Sequence, residues 1–198
     1  MAWITDRKKD QLYDQQEQAR LLQLARSSVE HGISHGGALS VTMSDYSPHL
    51  KKPGAAFVTL EKHGQLRGCI GSVEAYRPLV EDVAENAWNA AFRDPRFGSV
   101  THSELHQLHF DISVLTKPQS MQFDSEEDLK QQIVPWEDGL ILRDGYHRGL
   151  FLPAVWEKLP DIDTFLSHLK QKAGLPSGYW SDKLQIERFY SFEFGDNV

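Results

Sequence analysis

Cysteine is almost absent: the 198 residues contain one, Cys69. No intramolecular disulfide can form, and a zinc cage built from cysteines is excluded. Long apolar runs are missing as well. The longest, such as residues 149–155, are far too short to span a bilayer. The opening stretch Met1-Ala2-Trp3-Ile4-Thr5-Asp6-Arg7 turns polar at once, without the apolar core of a secretory signal. A cytoplasmic location is therefore expected, with no membrane partner. Positive charge is short too: 21 Lys and Arg stand against 28 Asp and Glu, a net charge of −7. A broad surface for a phosphate backbone needs the opposite balance, so no broad nucleic-acid-binding surface is expected. A local basic pocket stays open, because Arg67, Arg77, Arg93 and Arg96 fall in one central stretch. The chain has no internal repeat, low-complexity tract or long linker.

Hydrophobic residues make up 40% and aromatic residues 11%, enough for a packed core in one domain over residues 1–198. Residues 6–31 read as an amphipathic helix with Leu12, Ala19, Leu22, Ala25 and Val29 near helical spacing, capped by Thr5 or Asp6 and ended by Gly32. Residues 32–53 read as a loop. Ala55 to Leu60 and Leu66 to Ile70 form a hairpin about His63-Gly64. Pro78 suits the first turn of a helix whose apolar stripe is Val80, Val83, Ala84, Ala87, Trp88 and Ala91, and Asp94-Pro95 stops it. Phe110, Ile112 and Val114 alternate with Asp111 and Ser113, so 108–115 is a half-buried strand. Asp124 with Glu127 reads as a capping box for a helix over 125–133. A second hairpin turns at Asp144-Gly145, a helix holds Ile162, Phe165, Leu166 and Leu169 before Gly174, and Leu184 to Phe194 reads as one last strand. Hairpins separated by helices, without repeated βαβ spacing, give an α+β fold with antiparallel sheets.

Cys69 draws attention first. A lone cysteine is often a small buried hydrophobe. Gly68 and Gly71, however, remove flanking side chains and let a backbone or ligand come close. Arg67 favours the thiolate if its guanidinium nears the sulfur, which requires that no bulge intervene on the strand. None of the nine histidines is singled out by spacing as a base. His102, His106 and His109 resemble a metal-ligand run, yet Glu104 stands one position late for the zincin pattern, and a solvated helix surface is the simpler reading. His31 and His35 invite that reading too. At the end of the second helix, Asp94 can bond backbone amides and hold Arg96. Equally, Asn86, Arg93, Asp94 and Arg96 can line an anion-accepting cleft beside Cys69.

The blocks Phe57-Val58-Thr59, Leu66-Arg67-Gly68-Cys69-Ile70-Gly71, Ala90-Ala91-Phe92-Arg93-Asp94-Pro95-Arg96-Phe97 and Ile112-Ser113-Val114-Leu115 resemble the AMMECR family. So do Gly139-Leu140-Ile141-Leu142, Phe151-Leu152-Pro153-Ala154-Val155-Trp156 and Lys172-Ala173-Gly174-Leu175. The resemblance runs from about Ala55 to Phe194. It implies two lobes of unequal size, the larger joining the N- and C-terminal parts, with the hexapeptide facing the cleft between them. Its cysteine is then the candidate active residue. The resemblance also implies association with Memo-like and radical SAM proteins, and modification of a nucleic-acid base or small metabolite, with the cofactor undefined. Ala154 departs from the pattern, where relatives often carry Gln. Two functions follow: an enzyme with Cys69 as nucleophile or anchor and Arg67 and Arg96 for charge, or a non-catalytic module holding a small molecule, nucleotide or partner through Gly68, Gly71, Asn86, Arg93 and Arg96 in the same cleft.

Overall fold

The computed structural model describes residues 12–196. It divides into two compact units, one running to Leu115 and resuming at Phe192, the other Thr116–Ser191. Each packs helices on an antiparallel sheet, as the α+β reading expects.

In the first unit, Asp14 opens helix α1 (Gln15–His35) by accepting the Glu17 N–H at 2.8 Å. That bond satisfies one of the donors a helix start leaves bare. Residues 12–14 are not helical, so no helix runs unbroken from residue 6. The expected caps Thr5 and Asp6 lie outside the described residues. Gly32 does not end the helix either; Gly36 does, at φ 80°. A Cβ on Gly32 would lie 2.5 Å from Trp88 Cδ1 and 2.6 Å from Phe92 Cε2. Glycine here makes room for two aromatic rings.

Strands β1 (Ala55–Lys62) and β2 (Gln65–Gly71) form the expected hairpin. His63 and Gly64 both take positive φ, 54° and 72°, which a two-residue hairpin turn of this hand requires. Pairing begins in step, Lys62 with Gln65 and Glu61 with Leu66, but the next pair is Leu60 with Gly68. Arg67 is thus the extra residue of a β-bulge. Beyond it, Thr59 faces Cys69 and Phe57 faces Gly71. Helix α2 (Leu79–Phe92) starts directly after Pro78, and β3 (Leu108–Leu115) pairs with the whole of β1. Ala56, Val58, Leu60, Phe110 and Ile112 form the sheet's side of a core completed by Leu21, Val29, Val80, Val83 and Ala87. Alternation along the strands turns Phe57, Thr59, Asp111 and Ser113 to the opposite face.

A buried carboxylate fastens this layer. Asp82, 0% exposed, accepts the Ala56 N–H at 2.8 Å, Ser72 Oγ at 2.7 Å, Arg77 Nε at 2.9 Å and Asn86 Nδ2 at 3.0 Å. Four donors offset the desolvation that an isolated buried charge would suffer.

The second unit contains β4 (Gln119–Ser120), α3 (Glu126–Gln132), β5 (Gly139–Asp144), β6 (His147–Phe151), α4 (Ile162–Lys172) and β7 (Gln185–Phe189), with strand order β4-β7-β5-β6. Its core centres on Trp156, stacked on Phe165 with ring centroids 3.7 Å apart, and on Leu140, Leu142, Leu166 and Leu169. Ser125, not Asp124, caps α3, accepting the Asp128 N–H at 3.1 Å. Strand β8 (Ser191–Gly195) belongs to the first sheet, whose order is β2-β1-β3-β8. The single last strand expected from Leu184 to Phe194 is therefore two strands in two sheets, separated at Tyr190. Parity survived the break because side-chain alternation reports extended backbone, not the partner it pairs with. Among the described residues, no helix is long and apolar enough to cross a membrane.

Candidate functional site

Cys69 lies on β2, an edge strand of the first sheet, and is a partly exposed residue. The neighbouring residue fixes its direction. A Cβ on Gly68 would fall 2.1 Å from the Ala90 carbonyl oxygen, so position 68 faces α2 and position 69 faces away from it. There the Thr59 hydroxyl donates to Cys69 Sγ at 3.3 Å.

The outer edge of β2 is closed by side chains rather than by another strand. Asp94, only 4% exposed, accepts the Cys69 N–H at 2.9 Å. It also accepts the Arg96 N–H at 3.1 Å, Arg96 Nε at 2.9 Å and Arg96 Nη2 at 2.7 Å. Arg96 Nη2 in turn reaches the Cys69 carbonyl at 3.5 Å. The pair occupies the hydrogen-bonding positions that a neighbouring strand would fill. The Arg96 hydrogen bond, with two backbone N–H bonds behind it, holds the Asp94 carboxyl well below the usual carboxylate range. Arg96 is held above its ordinary value, first by its hydrogen bond to Asp94 and in smaller part by the nearby Cys69 sulfur. Its side chain is still 54% exposed, so a charge-bearing face remains open to solvent.

Arg67 is placed differently from the sequence expectation. In the bulge its guanidinium turns to Glu104, with Nε and Nη2 each 3.2 Å from a carboxylate oxygen. Lys62 Nζ and the Thr101 N–H and hydroxyl converge on the same carboxylate, each at 3.1 Å. The Arg67 bond first, then those of Thr101 and Lys62, draw the Glu104 carboxyl down to about 2. Arg67 therefore makes its ion pair with Glu104 rather than with the Cys69 sulfur. The two arginines are nonetheless linked by Phe97, whose ring centroid lies 6.0 Å from Arg67 Cζ and 5.4 Å from Arg96 Cζ.

The two glycines do not leave open space for a ligand. The space at Gly68 is filled by the Ala90 carbonyl, and at Gly71 by the Phe57 ring, 2.2 Å from where a Cβ would stand. Asn86, expected to line the cleft, is 3% exposed and donates to Ala56 O, Ser72 Oγ and Asp82 Oδ2, each at 3.0 Å. It belongs to the buried Asp82 network. Arg93 caps α2 and lays its guanidinium 5.2 Å from the Trp88 ring centroid, not towards Cys69. The run of His102, His106 and His109 shares no helix face: the three fall in a turn, a 3₁₀ turn and β3.

The structure thus joins Cys69 with Asp94 and Arg96, and adds Thr59, Phe97 and Glu104. A groove of about 690 Å³ in the second unit, lined in part by Phe123, Arg143, Trp180 and Glu187, contains none of these residues.

The AMMECR1 family model matches residues 22–194. The chain is 40% identical over 182 residues to protein LS215_2104 of Saccharolobus islandicus, covering 88% of this chain and 79% of that one. It is 36% identical over 180 residues to a protein of Methanothermobacter thermautotrophicus, covering 89% and 93%. The crystal structure titled uncharacterized protein PH0010, from Pyrococcus horikoshii, superposes with a TM-score of 0.84 at 32% identity, covering 93% of this chain and 94% of the other. By match length, identity and fold together, the chain belongs to the AMMECR1 family.

Proposed function

We propose that the protein is a cytosolic cysteine-dependent enzyme acting on an anionic, ring-bearing molecule of the nucleobase or small-metabolite class. The observation that carries this reading is the partly exposed residue Cys69, whose sulfur accepts the Thr59 hydroxyl at 3.3 Å and whose carbonyl the Arg96 guanidinium reaches at 3.5 Å. In this reading Sγ attacks an electrophilic carbon, the thiol proton passes to solvent, and the displaced electron pair settles on a substrate oxygen facing Arg96. Phe97 offers a flat apolar rest for the ring, and Arg67 adds positive potential behind it. Memo-like and radical SAM proteins are the partners that would supply or consume the modified molecule.

A second reading has its own support. The Cys69 N–H is taken by Asp94, so it is not available to hold an oxyanion, and among the described residues no histidine bonds to Sγ. These features favour a non-catalytic module that holds its ligand through Arg96 and Phe97. Timed iodoacetamide labelling of the native protein at neutral pH separates the two. The enzyme reading expects Cys69 to react at or above the rate of a free thiol. Labelling seen only after denaturation would refute it and leave the binding module.

A further inference from the structure

Away from Cys69, helix α1 ends in a second set of chemically able side chains. His31 and His35 stand one turn apart, four residues along the helix, with ring centroids 4.4 Å apart and planes inclined by 13°. Side chains at this spacing lie one above the other on the same helix face. The inner ring has a fixed tautomer. His31 Nδ1 lies 3.0 Å from the Gly37 carbonyl oxygen, and a carbonyl only accepts, so Nδ1 carries the hydrogen. The lone pair is then on Nε2, which is left without a partner among the described contacts. A ring nitrogen bonded in this way to a backbone carbonyl is the arrangement that orients a histidine for a metal ion. His35 sits in the last turn before Gly36, where the helix dipole and its final carbonyls favour positive charge, and His31 stands one turn ahead of it.

We propose that His31 and His35 form a bidentate chelate for a borderline divalent transition ion. The two imidazole nitrogens provide half of a coordination sphere with bonds of about 2.0–2.1 Å, and water completes it. His35 is exposed and, among the described residues, its ring makes no hydrogen bond, so it is the ring that swings out of the stack to close the bite. With nitrogen donors alone, affinity follows Cu²⁺ above Ni²⁺ and Zn²⁺, while Mg²⁺ and Ca²⁺, which want oxygen, do not bind.

Calorimetric titration of the full chain with Cu²⁺, Zn²⁺ and Mg²⁺ tests this. One equivalent of Cu²⁺ binds more tightly than Zn²⁺, and Mg²⁺ gives no heat. His35→Gln, on the exposed ring, leaves the fold intact and weakens Cu²⁺ at least tenfold. His31→Gln weakens it as much, and the double variant loses little more, because one remaining imidazole no longer chelates. Cys69→Ser leaves the affinity unchanged. The proposal fails if His35→Gln binds within twofold of the wild type, or if Cys69→Ser is the variant that abolishes binding.

Discussion

Replacing Asp94 with alanine isolates what holds Cys69 in place. The carboxylate accepts four hydrogen bonds, of unequal worth. Its bond to the Cys69 N–H closes the edge of β2, and leaving that donor unpaired in a partly buried position costs about 1–3 kcal/mol. The bond to the Arg96 N–H adds about 0.5–1.5 kcal/mol. The ion pair with Arg96 adds under about 1 kcal/mol, because the 54% exposed guanidinium is screened by solvent. Asp94→Ala should therefore lose about 2–4 kcal/mol, a fall of roughly 5–12 °C in melting temperature for a chain of this length. Arg96→Ala keeps the carboxylate on the Cys69 amide and should lose under about 1 kcal/mol. Thermal melting gives the totals, and hydrogen exchange at the Cys69 amide shows where the loss falls. Protection there should drop in Asp94→Ala and persist in Arg96→Ala. Equal destabilisation by the two substitutions, or an unchanged Cys69 amide in Asp94→Ala, would show that the edge contact contributes nothing.

Three further outcomes follow from neighbouring contacts. Thr59→Val removes the donor to Sγ and should cost about 1 kcal/mol of stability, read in chemical denaturation. Gly68→Ala drives a methyl group into the Ala90 carbonyl, backbone against backbone, and should cost about 3 kcal/mol or more in chemical denaturation. Gly98→Ala, in open space, should stay within about 0.5 kcal/mol. Glu104→Gln tests the pH dependence of the Arg67 clamp. The folded carboxyl titrates at about 2, below its ordinary 4.5, so its stabilisation is present above about pH 4.5 and fades as pH falls towards 2. Glu104→Gln should be less stable than wild type at pH 7, and the two should converge at acid pH. A gap that persists at pH 2 would assign it to packing.

Much of the first sheet was legible in the sequence because its signals are local. The His63-Gly64 turn, Pro78 ahead of α2, and the alternation in Phe110, Ile112 and Val114 each declare their element within a few residues. The site was harder to read because its geometry depends on one residue of register. A two-residue turn without a bulge would pair Cys69 with Val58, which faces the core. The bulge at Arg67 pairs it instead with Thr59, on the other face. Nothing in Leu66-Arg67-Gly68 announces that bulge, so neither Thr59 as a donor nor the turn of Arg67 towards Glu104 could be foreseen. Asn86 misled for a different reason. An amide on a helix near charged residues reads the same whether it faces solvent or a buried carboxylate, and its partners Ala56 and Ser72 are distant in sequence. Gly32 read as a stop because glycine commonly ends helices, whereas the rings of Trp88 and Phe92 required its missing side chain.

The buried Asp82 carboxylate also bears on how the first unit assembles. Its four donors come from the start of β1, from Ser72 just past β2, from Arg77 and from its own helix. If α2 packs before Ser72 and Arg77 arrive, a negative charge enters the apolar interior with half its donors missing. A state with a misregistered hairpin suffers the same penalty, since Ser72 is then displaced. The carboxylate therefore acts as a checkpoint in folding: it adds little to the finished structure beyond what well-packed apolar groups would give, but it raises the free energy of half-built ones. Cooperativity, rather than net stability, is what that single charge secures.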